Sequence, residues 1–217
     1  MNPVNAADSS YAQAGADLSR RGFEVVSHQG GPLNTEILDA GDVLVIAHPA
    51  DQGSERATGS GSPIFTVDEL DAVETFVRAG GGLVVLGECV QDRYGSNLTE
   101  LLARFGVGIR STTVHEGERH HNGVATWVLP TELGPQPGQG LLAGVGQACF
   151  YRAGVLDLGA TDARVLARTS AAADPAGAPV AASLQVDRGR LVVFADSDLG
   201  GPRRARTRPR GARRPRP

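Results

Sequence analysis

The clearest hydrophobic pattern lies just after Asp42, where Val43-Leu44-Val45-Ile46-Ala47 runs without a polar break up to His48. An uninterrupted apolar run of this length is what a strand covered on both faces needs. Upstream, Tyr11, Ala14 and Leu18 recur at helical spacing over residues 10–21, with Ser9 or Ser10 as a cap and Gly22 as a stop. Residues 23–26 read as a short strand and residues 33–38 as a helical turn. After a loop rich in Gly and Ser, Thr66 and Glu69 have the spacing of a capping box, and Leu70, Val73, Phe76 and Val77 form an apolar stripe behind it. Gly80, Gly81 and Gly82 end that helix. They precede a strand rather than follow one, so they cannot aim a helix N-terminus at a phosphate. Residues 83–86 form the next buried-type strand and residues 97–105 a third helix. Residues 107–116, 124–129, 147–158, 165–167, 180–186 and 190–195 complete the strands.

Strand, helix, strand alternation predicts an α/β domain: a flavodoxin-like, mostly parallel sheet with helices on both faces. In that fold the first strand is central, in the order 2-1-3-4. No run of Val, Ile or Leu precedes the helix at 10–21. The first central strand is therefore expected to be missing, leaving a slot between residues 23–26 and 43–47. The expected organisation is an N-terminally truncated domain over residues 1–200 and a disordered, Arg/Pro-rich tail over 201–217.

Charge narrows the functions. All 21 basic residues are Arg, and eight of them lie in residues 201–217. Residues 1–200 carry 13 Arg against 24 Asp and Glu, a net charge of −11, which argues against a nucleic-acid partner. No apolar run reaches the length of a membrane span, and the first residues lack the pattern of a secretory signal. Cys89 and Cys149 do not make a disulfide framework. These readings together place the chain in the cytoplasm.

The strand DVLVIAHP, the capped helix, GGGLVVLGEC and the late GRLVVFADSD follow one another in the order of the class I glutamine amidotransferase-like superfamily, which the chain resembles over about residues 10–200. The resemblance is to uncharacterised bacterial branches, whose relatives include a non-catalytic domain of an intraflagellar transport protein. It implies a nucleophile position at Cys89, within Gly87-Glu88-Cys89-Val90-Gln91. The second Gly of the family's elbow is replaced by Gln91, and the family's His-x-Glu corresponds to Asp196-Ser197-Asp198. The base is thus missing from its expected place, and no glutaminase activity is expected.

Ligands of open α/β sheets bind beyond the carboxyl ends of the strands. There the sequence places His48, Glu88, Cys89, Asp196, Ser197 and Asp198. Glu88, Asp196, Ser197 and Asp198 form an acidic rim suited to a small molecule or a cation, unless they serve as caps of local turns. His115, Glu116, His120 and His121 lie in a dense run, HEGERHH, but no second cluster at ligand spacing supports a metal, and a polar hairpin loop is the expectation. No cofactor is expected. Two functions follow. One is a non-catalytic binding or scaffold domain for an unidentified small molecule or protein partner. The alternative is a diverged cysteine hydrolase or amidotransferase using Cys89, with His48 as its base.

Overall fold

The computed structural model describes residues 11–28, 30–47, 64–91, 96–133 and 140–200. They fall into two compact units. Of the smaller unit, residues 11–27 and Gly200 are described. It holds helix α1 (Ala12–Arg20), which Tyr11 precedes without a side-chain cap and Gly22, at φ +92°, follows. The Ser9 and Ser10 caps lie outside the described residues. Residues 23–26 form no strand, and Phe23 and Val26 are exposed.

The larger unit is built on helix α2 (Thr35–Asp39), strand β1 (Val43–Ala47), helix α3 (Val67–Ala79), β2 (Gly82–Leu86) and helix α4 (Leu98–Ala103). These are followed by β3 (Gly108–Arg110), β4 (His115–Glu116), β5 (Trp127–Val128), β6 (Glu132–Leu133), β7 (Phe150–Tyr151) and β8 (Val155–Asp157). The last strands are β9 (Arg164–Arg168), β10 (Ala173–Asp174), β11 (Pro179–Val186) and β12 (Gly189–Phe194). Side chains cap two of these helices, one of them as the Thr66–Glu69 spacing predicted. The Asn34 side chain accepts from the Ile37 amide at 3.0 Å. Thr66 and Glu69 close a complete capping box at the start of α3.

Among the described residues, six strands form the main sheet in the order β1-β2-β12-β11-β9-β6. β1 with β2 and β2 with β12 are parallel; β12 with β11, β11 with β9 and β9 with β6 are antiparallel. The flavodoxin-like, mostly parallel sheet is therefore corrected to a mixed one. Part of the reason is the length of one connection. β11 and β12 pair from Val186 opposite Gly189, so Asp187-Arg188 is a two-residue turn. A parallel neighbour needs a crossover of about a dozen residues or more. The predicted strand order fails as well: among the described residues β1 stands at the edge of this sheet, and residues 23–26, read as the strand across the slot from it, form no strand.

Helices on both faces are also not found among the described residues of the larger unit. The buried residues of α2, α3 and α4 all join one core, with Leu38, Leu70, Val73, Val77, Leu98, Leu101 and Leu102 among them. They pack on aligned rows of the sheet: Leu44, Leu83 and Leu191 in one, Ile46, Val85 and Val193 in the next. Each fully buried Leu or Val contributes about 1.5–3 kcal/mol. The approach of α3 to β12 is close. A Cβ on Gly189 would lie 1.9 Å from the Val77 carbonyl oxygen. The opposite face of the antiparallel half carries a second core, in which Val128, Phe150, Leu166 and Val180 pack with Val192 and Phe194. Short strand pairs, β5 with β7 and β4 with β10, do the work there that helices were expected to do. On β1, Val43 and Val45 are 56% and 50% exposed, so its unbroken apolar run did not signal burial on both faces. Among the described residues, no helix is long and apolar enough to cross a membrane.

Candidate functional site

Because β2 and β12 are parallel neighbours, paired from Gly82 opposite Arg190 to Leu86 opposite Phe194, their carboxyl ends share one edge of the sheet. The chain leaves β2 through Gly87, whose amide donates to the Phe194 carbonyl at 2.9 Å. Glu88 follows. From β12 the chain passes through Ala195 to Asp196, Ser197 and Asp198. One carboxylate oxygen each of Glu88, Asp196 and Asp198 lies within 4.8 Å of the other two. The three are graded in depth, with Asp196 buried, Glu88 half-buried and Asp198 exposed.

Local hydrogen bonds fix this arrangement. Oδ2 of Asp196 accepts from the Tyr151 amide at 2.7 Å, and Oδ1 accepts from the Asp198 amide at 2.8 Å. The buried Ser197 hydroxyl donates to Glu88. Gln91, whose replacement of a Gly was read as a departure from the elbow, turns its amide nitrogen back onto the Glu88 carbonyl at 2.7 Å. Its Oε1 is buried without a hydrogen-bond partner among the described residues.

Burial and like charge push these acids upward. Burial raises Asp196 to about 7, although the amides of Asp198 and Tyr151 pull it down; the charges of Asp198 and Glu88 push further up. Burial raises Glu88 too, against the Ser197 hydrogen bond, with Asp198 adding to the rise and Arg152 opposing it. Asp198 is raised by burial and lowered by Arg152. Arg152 is thus the neighbouring counter-charge. It holds a left-handed backbone at φ +54°, a conformation a non-glycine residue keeps only where its surroundings impose it. Nothing in the sequence marked Arg152 for this site. Its position depends on the loop between β7 and β8.

Cys89 lies beside the acids but is not presented as a nucleophile. It is 3% exposed, and the Thr113 hydroxyl donates to its sulfur at 3.3 Å. Gly154 packs against it so closely that a Cβ there would come 3.0 Å from the Cys89 Cα. Among the described residues no helix starts at the Cys89 turn; α4 begins at Leu98. Among the described residues the strand-to-helix elbow implied by the amidotransferase resemblance is therefore not formed. His48 lies outside the described residues.

The HEGERHH run does not gather as ligands. His115 is exposed, with Nδ1 3.1 Å from the Thr113 carbonyl. Glu116 is buried and accepts from the Ser170 hydroxyl at 2.6 Å, from the Ser170 amide at 3.3 Å and from the Glu118 amide at 3.2 Å. Burial works to raise this carboxyl, but those hydrogen bonds outweigh it and hold it below the usual range. His121 stacks on Trp127 at 5.8 Å between ring centroids.

By sequence, no family model and no curated protein matches the chain. By structure, it is similar to the mmIFT52 N-terminal domain, with a TM-score of 0.72 at 16% identity over 91% of this chain and 84% of that one. It is also similar to the cytoplasmic protein STM1381 from Salmonella typhimurium LT2, with a TM-score of 0.57 at 15% identity over 86% of this chain and 76% of that one. These neighbours and the mixed sheet overturn the class I glutamine amidotransferase resemblance, together with the flavodoxin-like character it implied. What the chain shares with these proteins is the fold.

Proposed function

We propose that this chain is a non-catalytic binding domain whose ligand presents a cationic group, a metal ion or an amine, to Glu88, Asp196 and Asp198. The observation that carries the reading is the convergence of these three carboxylates at the ends of two parallel strands, graded from buried to exposed. Oxygen donors in this number suit a hard cation, and bringing positive charge among acids already raised by burial relieves their mutual repulsion. The burial of Cys89 and its engagement by Thr113 support a domain without thiol chemistry. The acidic body supports a partner other than nucleic acid, and the scarcity of cysteine supports a cytoplasmic setting.

The test is calorimetric titration of the full chain at neutral pH with calcium chloride, magnesium chloride and agmatine. Saturable binding of one of them, lost in both Glu88→Gln and Asp198→Asn, is the expected result. If none of the three binds, or if binding survives both substitutions, the proposal fails.

A further inference from the structure

Two surface hollows of the larger unit hold arginines in opposite states. In the hollow beside the β11–β12 turn, Arg78 pairs with Glu74 at 2.9 Å and with Asp187 at 3.1 Å. Arg104, in the same hollow, pairs with Asp71 at 2.5 Å and with Glu74 at 2.8 Å. Those guanidiniums are satisfied. The other hollow, of about 470 Å³, is lined by Leu141, Asp162, Arg164, Ser183, Gln185 and Arg190. Here the guanidiniums of Arg164 and Arg190 make no ion pair and no hydrogen bond among the described residues, and neither does the Ser183 hydroxyl. Asp162 shares the hollow without pairing to either arginine. In residues 1–200 acids outnumber arginines by 24 to 13, yet these two guanidiniums line one hollow without a paired carboxylate.

The strand register explains why the two converge. Arg164 on β9 stands opposite Ser183, and Arg190 on β12 stands opposite Gln185, on the two sides of β11. Directly opposed residues point to the same face of a sheet, and Ser183 and Gln185 are two apart on one strand. All four side chains therefore rise from one face. The two arginine Cα atoms are separated by two strand spacings across and one two-residue step along, about 12 Å, a gap that their long side chains close from either side above Ser183. The Gln185 amide nitrogen is already engaged by the carbonyls of Asp187 and Gly189, at 3.0 Å and 2.7 Å, which leaves the donors to Arg164, Arg190 and Ser183. Leu141, 52% exposed, gives the hollow an apolar wall.

We infer that this hollow binds a small organic oxyanion. Its phosphate or carboxylate group lies between Arg164 and Arg190 with the Ser183 hydroxyl donating, and its apolar body lies along Leu141. Planar guanidiniums match both oxyanions through paired N–H donors, and charge-assisted bonds of this kind are the strong ones. The site lies on the antiparallel half of the sheet and uses none of the residues of the acidic cluster.

The experiment is calorimetric titration of the full chain with phenyl phosphate and with benzoate, with inorganic phosphate and benzyl alcohol as the anion alone and the apolar body alone. Saturable one-to-one binding of either aromatic oxyanion is expected, with inorganic phosphate weaker and benzyl alcohol silent. Arg164→Gln and Arg190→Gln should each weaken binding about tenfold or more without moving the melting temperature, because both side chains are exposed. Arg78→Gln, in the neighbouring hollow, should leave the affinity unchanged. Ser183→Asp places a carboxylate between the two guanidiniums and should abolish binding, a readout that stands even if an arginine variant folds poorly. Absence of saturable binding by both aromatic oxyanions overturns the inference, as does binding undiminished in Ser183→Asp or in both arginine variants. Inorganic phosphate binding as tightly as phenyl phosphate would overturn the part assigned to Leu141.

Discussion

The substitution Asp196→Asn tests the buried acid through the pH dependence of stability. Asp196 has no exposed surface, and burial raises its carboxyl from 3.8 to about 7. An acid raised on folding binds its proton more tightly in the native state. The stability linked to that proton is complete below 3.8 and is lost as pH rises to about 7. At about 1.4 kcal/mol per pH unit, this span amounts to about 4 kcal/mol. Asparagine cannot titrate. It also has a single side-chain acceptor where Asp196 uses two oxygens, for the amides of Tyr151 and Asp198, so one amide meets an NH₂ group at a cost of about 1–3 kcal/mol at every pH. Glu88 and Asp198, also raised, are present in both proteins. The assay is urea unfolding of wild type and Asp196→Asn between about pH 5 and about pH 8. The wild-type advantage should shrink steadily up to about pH 7, level off, and end at zero or below. Two curves that stay parallel over that range would refute the reasoning, because they would mean that Asp196 does not carry the proton.

Gly189→Ala should destabilise by about 3 kcal/mol or more, since its Cβ would meet the Val77 and Gly81 carbonyl oxygens at 1.9 Å and 2.4 Å; Gly41→Ala, with nothing within 4 Å, should be nearly neutral in the same chemical denaturation. Glu116→Ala should cost about 3 kcal/mol at neutral pH by leaving the Ser170 hydroxyl and nearby amides unpaired. Because the Glu116 carboxyl is held below its usual range, its contribution is present above about pH 4.5 and lost as pH falls through the lowered value, so the gap between variant and wild type should narrow in acid unfolding. Iodoacetamide should label the half-buried Cys149 in the native state, and Cys89 at a rate that follows global unfolding; prompt native labelling of Cys89, read by mass spectrometry, would show that its thiol is presented after all.

The sequence revealed local elements better than their assembly. The Thr66–Glu69 box, the Gly80 stop and the stripe of Leu70, Val73 and Val77 are short-range signals, and each acts in the structure as its spacing suggested. Strand direction is a long-range property. Val43 to Ala47 and Gly189 to Phe194 are both rich in Val and Leu, yet one is an edge strand and the other has partners on both sides. The Asp187-Arg188 turn did hold the direction of β12 relative to β11, since so short a link permits nothing but an antiparallel pair. Glu88, Asp196, Ser197 and Asp198 were recognisable as a rim because each ends a strand. Arg152 and Thr113 were not, because they come from loops whose course is set by packing. The amidotransferase resemblance rested on the order of apolar runs, and that order is shared by sheets of different direction.

The pairing of β2 with β12 also bears on how the molecule is made. Gly82 and its partner Arg190 are on the order of a hundred residues apart, so closing this pair requires one of the longest loops in the chain. At about 5–20 residues per second of synthesis, β2 waits several seconds or more for its second neighbour. During that interval Leu83, Val84 and Val85 line an open strand edge of the sort that binds holdases or another nascent chain. Glu88 and Asp196 cannot face each other until that wait ends, so a probe of the acidic cluster would report the closure of this long loop rather than the local steps that form the helices.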